Sequence, residues 1–597
     1  MKNFREKADL IWKVADLLRG DYKQSDYGKV ILPITVLRRL DCVLAPTKQK
    51  VLDYLPKIAS LKENAKDIAL NKIAGFNFHN KSQFDFDKLI ADPNSIALNL
   101  RNYINGFSAG AREIIEYFNF DDQIDRMDKA DILFRVVSEF KKIDLSDMDS
   151  MEMGYVFEEL IRKFAEQSNE TAGEHFTPRE VIRLMVNVLF NEDREMLTKE
   201  GIVKTLYDPA CGTGGMLSIG EEYVKELNPK AELKVFGQEI NPESYAICKS
   251  DMLIKGQNPS NIKFGNTFTV DGLESEKFDY MLSNPPFGVD WKKAEKTIKT
   301  EAEKKGMSGR FGAGLPRIND GSLLFLQHMV SKMKVTGSRV GIVFNGSPLF
   351  TGAAESGESN IRKWIIENDW LEAVIALPDQ LFYNTGISTY VWIVTNHKSK
   401  KRQGKIQLIN ATGVKDEELL KEGKLEFNRF WQKMDRSLGN KRKKIAEKGN
   451  TKGIGFITQL YGDFKENEFV KIYPNEFFGF WRVTVEQPLK ENGKVAKTKG
   501  NPKPDTSLRD YENIPFLKKL KDGKLVPQAI DEYFKAEVEP HLPEAWIDES
   551  KTKIGYEINF TKYFYEFKPL RSLEEIKADI LALEEQTLES EKTILNS

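Results

Sequence analysis

Cysteine and histidine are scarce in this 597-residue chain, which has three of the first and five of the second. Cys42, Cys211 and Cys248 lack the spacing of a disulfide framework, which excludes a stapled secreted scaffold and points to a reducing compartment. No Cys/His pair stands at ligand spacing, so no metal is expected. No uninterrupted apolar run approaches the length of a membrane span, and Met1-Lys2-Asn3-Phe4-Arg5 leads into charged helical sequence rather than a secretory leader. A cytoplasmic protein without membrane contact is expected. Excess charge is lacking too: 89 Lys and Arg stand against 90 Asp and Glu, a formal net charge of −1. Affinity for a polyanion must then come from locally concentrated cations or from a partner. No Gly-Lys-[Ser/Thr] occurs, so there is no P-loop, and ATP-driven work would belong to another chain. The length exceeds a single core and implies two to four domains.

Glycine and proline are placed where they carry information. Asn284-Pro285-Pro286-Phe287 follows the strand-like run Phe278 to Ser283. Two prolines cannot donate to a sheet ladder, so the strand stops there in a stiff turn. In open α/β sheets that C-terminal edge is where ligands bind. The Asn284 side-chain oxygen and the Pro285 carbonyl can both accept from an NH₂ on a ring, and Phe287 can stack on that ring. Taken alone, the same residues read equally well as an ordinary Asn-initiated turn. Upstream lies Asp208-Pro209-Ala210-Cys211-Gly212-Thr213-Gly214-Gly215, between the apolar run Val203 to Tyr207 and a helical pattern from Met216. Its glycines let backbone approach a ligand. A second strand, Leu233 to Gly237, ends in Gln238-Glu239, where an acid can accept both hydroxyls of a ribose. Asn266, after a further short strand, is placed to reach an adenine edge, and an ordinary Asn turn is the competing reading. Glycine turn, acidic strand end and Asn-Pro-Pro-Phe in that order point to an S-adenosylmethionine-dependent amino-methyltransferase.

With these segments in view, the chain resembles the methylation subunits of type I restriction–modification systems, adenine-N6 DNA methyltransferases, over nearly its whole length. Glu174, His175, Phe176, Thr177, Pro178 and Arg179 match the family's cofactor segment; His175 departs from the usual tyrosine or phenylalanine. Asp208, Gly212, Thr213, Gly214 and Gly215 match the turn, Glu239 the ribose acid, and Asn284 to Phe287 the catalytic tetrapeptide. Asp320 to Phe325 and Leu377 to Gly386 match later core segments. The resemblance implies a doubly wound, seven-stranded methyltransferase core, S-adenosyl-L-methionine as cofactor and double-stranded DNA as substrate. It also implies a specificity subunit as partner and two copies of this chain per complex, with room for a restriction subunit. A base inside a duplex cannot reach such a pocket, so the target adenine must flip out. Phe382 is the candidate for the base's second face.

Three regions are expected. Residues 1–145 read as a helical domain, a DNA clamp by resemblance and a packing domain by the bland reading. Residues 146–411 alternate strands and helices, with strands expected at 204–207, 233–237, 262–264, 280–283, 339–344, 371–376, 389–395 and 405–409. Between Val289 and Leu315 lies a lysine-rich insertion, expected to be a mobile loop that orders on phosphate, with Lys292, Lys293, Lys296 and Arg310 as DNA candidates. Residues 412–597 are expected to be an α-rich extension, with a disordered basic loop from Lys494 to Pro504. It ends in a helix that opens with a Ser572/Glu575 capping box. The narrow seam Leu573, Ile576, Ile580 and Leu583 on that helix suits docking on another subunit.

Rival readings differ in chemistry. A self-sufficient adenine methyltransferase would carry its own target-reading domain in the C-terminal third. A cytosine-N4 enzyme usually has Ser where Asn284 stands. A protein-glutamine methyltransferase would not need the flanking domains. A nuclease reading of Asp208 with Glu232-Leu233-Lys234 fails because those residues already serve the cofactor core.

Overall fold

The computed structural model describes residues 3–168, 177–383, 385–447, 449–565 and 572–595. The chain forms two compact units, Met1–Ile558 and Asn559–Ser597.

The centre of the first unit is a nine-stranded sheet. Its strands are β1 (Val203–Asp208), β2 (Glu232–Glu239), β3 (Ile262–Phe264), β4 (Tyr280–Ser283), β5 (Arg339–Phe344), β6 (Leu371–Ala376), β7 (Tyr390–Thr395) and β8 (Lys405–Asn410). The ninth follows the hairpin β9 (Gln432–Leu438) and β10 (Lys441–Lys444), and is β11 (Val470–Pro474). The order is β11-β8-β6-β7-β5-β4-β1-β2-β3. From β3 through β5 every pairing is parallel, whereas β7 runs antiparallel to both neighbours. All six residues of β5 and all six of β6 are buried, the signature of strands covered on both faces. All eight expected strands are present. The expected seven-stranded sheet gains two strands because β8 pairs parallel with β6 and β11 closes the edge antiparallel to β8. The sheet therefore crosses the boundary placed at 411.

The N-terminal region is helical, as its apolar spacing predicts. The helix Gly28–Tyr54 is its spine, with Val30, Ile31, Leu37 and Leu40 fully buried. The basic end of that run is structural: Arg38 pairs with Asp41 at 2.7 Å and donates to the carbonyls of Lys141 and Ile143. Its hydrophobic core runs on through Phe164 and takes in Ala246, Ile247 and Leu253 of the helix Pro242–Ile254, so it packs onto the catalytic core beyond residue 145.

The extension differs from expectation. Its part within the first unit is built largely of strands: β12 (Gly479–Glu486), β13 (Lys490–Glu491), β14 (Lys494–Val495), β15 (Lys497–Thr498), β16 (Asn501–Pro502), β17 (Asp510–Pro515), β18 (Leu517–Lys519), β19 (Leu525–Pro527) and β20 (Trp546–Tyr556). β12 sits between β17 and β20 in an antiparallel sheet whose inner residues Val483, Val485 and Ile514 are buried. The Lys494–Pro504 stretch is not a loop: together with Lys490–Gly493 it forms two hairpins, because Asn492-Gly493 and Lys499-Gly500 both supply the paired positive φ of a tight two-residue turn. In the second unit, the helix Leu573–Leu595 opens with the expected box: Glu575 N–H donates to Ser572 Oγ and Ser572 N–H to the Glu575 carboxylate. Leu573, Ile576, Ile580 and Leu583 are exposed.

Candidate functional site

The C-terminal ends of β1, β2 and β4 open into one cavity of about 450 Å³, within the range of small-molecule sites. Asp208 ends β1 and is 2% exposed. One of its oxygens accepts from Ala210 N–H (3.0 Å) and Ser283 Oγ–H (2.9 Å). Ser283 directly precedes Asn284, so this bond ties the glycine-rich turn to the proline turn. Burial, with the Glu239 charge adding to it, pushes the Asp208 carboxyl from the ordinary 3.8 up to about 7. Glu239 ends β2 and is held by three backbone amides: Gly212 N–H at 2.8 Å on one oxygen, Ile240 and Asn241 N–H at 2.9 and 2.8 Å on the other. That grip fixes the carboxylate's direction, fills Oε1 and leaves one lone-pair site on Oε2 for a ligand's hydroxyl.

Gly212 and Gly214 adopt φ of +52° and +87°, where a side chain is strained, and Gly214 caps the helix Gly215–Leu227. A Cβ on Gly214 would stand 2.8 Å from Cys248 Sγ, so the glycine is required by the helix behind it rather than by the cavity in front. Thr213, Gly215 and Thr177 line the cavity. Asn266 does so as well, its Oδ1 engaged by Phe268 N–H at 2.8 Å in an Asx turn. Pro178 precedes the helix Arg179–Asn191. Arg179 lies beneath the turn, paired with Glu158 at 2.9 Å, and borders a separate void of about 30 Å³ with Thr213 and Gly215. Glu174, His175 and Phe176 lie outside the described residues, as does Asn384.

Asn284 and Pro286 line the same cavity. The Asn284 Oδ1 is buried and accepts no hydrogen bond, an arrangement that costs energy unless a donor arrives. Pro285 is buried and Phe287 half-buried. Phe382 departs from expectation: it is 1% exposed and meets the Phe287 ring edge-on, centroids 6.4 Å apart. It backs Phe287 instead of offering a face of its own.

The lysine-rich insertion is also not a free loop. It folds as a short 3-10 turn and the helix Glu295–Lys305, with Trp291, Ala294, Ile298 and Phe311 buried against Phe268 and Leu324. Arg310, expected on DNA, is a latch. Its guanidinium pairs with Glu301 at 2.6 Å and donates to the carbonyls of Thr267 (2.8 Å) and Phe268 (2.9 Å). It also donates to His328 Nδ1 at 3.3 Å. An arginine cannot accept, so Nδ1 is the bare nitrogen, and Nε2 carries the hydrogen that faces the Tyr207 hydroxyl at 3.0 Å. Burial, and then the Arg310 charge, holds the His328 pKa well below its ordinary value, which keeps the ring neutral. Lys292, Lys293 and Lys296 are exposed, and Lys293 reaches the cavity rim. Trp291, Phe268 and Phe325 add aromatic walls that local sequence reading did not single out. Only the matched Asp320–Phe325 segment hinted at one of them.

The donor set suits S-adenosylmethionine: an amide-gripped acid for a ribose hydroxyl, aromatic walls for a purine, and an unpartnered acceptor beside the proline turn. A family model described as N-6 DNA Methylase matches residues 148–451, and one described as HsdM N-terminal domain matches residues 8–140. A type I restriction enzyme MjaIX methylase subunit from Methanocaldococcus jannaschii is 25% identical over 68% of this chain and 72% of its own length. The MjaVII methylase subunit of the same organism is 31% identical over 58% of this chain and 52% of its own length. The fold is similar to that of a type I restriction-modification system methyltransferase subunit from Streptococcus thermophilus, with TM-score 0.60, 22% identity, and coverage of 79% of this chain and 96% of that one. The catalytic model spans more than half of the sequence, and the chain belongs to the N-6 DNA methylase family, S-adenosylmethionine-dependent methyltransferases of adenine N6 in DNA.

Proposed function

We propose that this chain methylates N6 of an adenine flipped out of duplex DNA, as the methylation subunit of a type I restriction–modification complex in the cytoplasm. The observation that carries the reading is the buried, unpartnered Asn284 Oδ1 on the wall of the cavity that also holds Glu239 and Asp208. S-adenosylmethionine, when bound, supplies an electrophilic methyl group on a sulfonium. Glu239 would hold its ribose, and Asn266 with Phe268 its adenine edge. Adenine N6 is a poor nucleophile because its lone pair is delocalised into the ring. Asn284 Oδ1 and the Pro285 carbonyl accept from the NH₂, favour a pyramidal nitrogen and stabilise the positive charge that develops on it. Phe287 stacks on the flipped base, a contact of about 1–3 kcal/mol, and Phe382 keeps its ring upright. The proton leaves after transfer, to water, so no strong base is required beforehand. Lys292, Lys293 and Lys296 meet phosphate at the cavity's rim. Sequence choice comes from a separate specificity subunit, with two copies of this chain placing one active site on each strand. In a tritiated-methyl assay of the assembled complex, Asn284→Ala should lose transfer while calorimetry shows cofactor affinity retained; normal turnover would rule the mechanism out. Long-read sequencing of host DNA with and without the gene reports the modified base and its motif together.

A further inference from the structure

A basic arm grows out of the C-terminal sheet between β12 and β17. Its two hairpins, β13–β14 and β15–β16, are locked together by a ring of backbone bonds: Leu489 N–H to Lys503 O, Ala496 N–H to Leu489 O, and Lys503 N–H to Ala496 O, each 2.8 Å. A third hairpin, β18–β19, follows β17 directly. From Pro488 to Pro527 the sequence has ten Lys and Arg against five Asp and Glu, although the whole chain carries −1. Lys494, Lys497, Lys499 and Lys503 are exposed, and no acidic residue lies between the first and the last of them. Lys490 and Lys518 have carboxylate partners, Glu544 at 2.5 Å and Glu532 at 3.0 Å. Among the described residues these four lysines, and Lys519, Lys521 and Lys524 on the third hairpin, are recorded with none.

The tip of the second hairpin is the telling position. The first hairpin turns on Asn492-Gly493, φ +50° and +77°, the residues such a turn prefers. The second turns on Lys499-Gly500, φ +53° and +88°, which puts a lysine into a left-handed conformation that an asparagine would adopt more easily. Strain held by a charged residue at an exposed tip points towards function more than towards stability. The arm is also firmly based. At its root Glu486, 1% exposed, accepts from Arg509 (2.9 Å) and Lys551 (3.0 Å). The sheet behind it is bolted to the helix Gly357–Glu367 through Arg362 Nε to Tyr556 O at 2.6 Å and Tyr556 N–H to Ser359 Oγ at 3.0 Å. Glu358, at the start of that helix, accepts from Arg317 N–H at 2.9 Å, near the end of the insertion that leaves the proline turn. The arm and the cavity wall thus belong to one continuous scaffold.

We propose that this lysine arm lies along the phosphate backbone of duplex DNA away from the methylated adenine, with Lys494, Lys497, Lys499 and Lys503 as the contacting cations. The proposal rests on the DNA-methylating reading above and deepens it by giving the near-neutral chain its own polyanion site. Lysine is a point charge on a flexible stem, suited to holding phosphate without reading sequence. A two-stranded ribbon is narrow enough to follow a groove edge. Each phosphate neutralised releases counterions, so the arm should contribute about 0.9 per contact to the slope of log K against log salt.

The test uses the full chain and a 40-base-pair (about four helical turns) mixed-sequence duplex, with binding followed by fluorescence anisotropy from roughly 50 to 200 mM salt, the window over which such contacts are lost. The variant is Lys494→Gln, Lys497→Gln, Lys499→Asn and Lys503→Gln; the asparagine suits the turn better than the lysine it replaces, so the hairpin is kept. The expected result is a slope shallower by about 3–4, with binding at least tenfold weaker at the low-salt end. Cofactor affinity by calorimetry should not change, and four Lys→Arg changes should restore the slope. A wild-type slope in the Gln/Asn variant overturns the arm while leaving the methylation reading intact. Unaltered DNA binding with loss of a co-purifying protein partner overturns it in favour of an acidic protein surface. Wild-type chain that takes up cofactor yet binds no duplex at low salt overturns the arm, whereas the methylation reading falls only if the assembled complex transfers no methyl group to DNA.

Discussion

Removing the Arg310 guanidinium tests whether the insertion and the cofactor cavity act as one structure. In Arg310→Ala, the Glu301 carboxylate loses its partner in a pair whose side chains are 15% and 12% exposed. Breaking such a mostly buried pair costs about 3–5 kcal/mol, because the remaining charge is stranded. The Thr267 and Phe268 carbonyls lose a donor each, at about 1 kcal/mol apiece. Against this stands a small local core around Trp291, Ala294, Ile298 and Phe311, where a fully buried large side chain contributes about 1.5–3 kcal/mol. The loss is comparable with what holds the insertion down, so residues 289–318 should open while the sheet stays closed. If the closed fraction falls to about a tenth, the apparent cofactor Kd rises about tenfold, since only the closed form presents Trp291 and Phe268 to the ligand. Hydrogen exchange should show fast exchange in 289–318 and 266–268 with β4 and β5 still protected, and calorimetry should show the weaker binding. Arg310→Lys should not rescue, because one ammonium cannot reach Glu301, two carbonyls and His328 together. Burial works to raise the Glu301 pKa, but the Arg310 bonds outweigh it and hold the group below the ordinary 4.5. The latch's contribution is therefore present above that value and lost as pH falls through the depressed folded value; the alanine variant should lack this acid sensitivity. Unchanged exchange together with unchanged cofactor affinity would refute the latch.

Asn284→Ala should keep cofactor binding and lose methyl transfer by a factor of 10² to 10³ or more, the usual cost of one preorganised polar contact (~3–4 kcal/mol); a tritiated-methyl assay decides. Gly214→Val should abolish cofactor binding by forcing the turn away from Cys248, and Cys248→Ala should partly restore it; no restoration would mean that backbone strain at φ +87° outweighs the Cys248 contact. Because Asp208 is raised to about 7 in the fold, the unfolded chain releases its proton first, and stability falls as pH rises from about 4 to about 7. Urea midpoints should show that decline in the wild type and a flatter profile in Asp208→Asn. Ile576→Asp with Ile580→Asp should prevent co-purification with a specificity subunit, since unpaired carboxylates in a buried seam are costly, while cofactor affinity survives; intact co-purification would sink the docking role.

The strand ends that build the cavity were readable from local chemistry alone. Proline must stop β4 at Ser283, glycine must supply the φ of +87° at Gly214, and a buried parallel strand such as β5 or β6 is a continuous apolar run wherever it occurs. The capping box at Ser572 and Glu575 is equally local, a pair three residues apart. What tertiary structure decided is what meets at a distance. Nothing near Val470–Pro474 announces that it will close the sheet against β8 sixty residues earlier, because one short strand can pair with any open edge. Composition marked Lys494–Pro504 as loop, and only the cross-strand bonds between residues 489, 496 and 503 make it a rigid arm. Phe382 is expected on the second face of the base, yet it packs edge-on behind Phe287, because the core that buries it lies elsewhere in the chain. Arg310 is the clearest case. Whether a guanidinium faces solvent phosphate or two carbonyls, a carboxylate and an imidazole depends on folding 43 residues of chain back upon Thr267. Charge is a property of a residue, whereas its partner is a property of the fold.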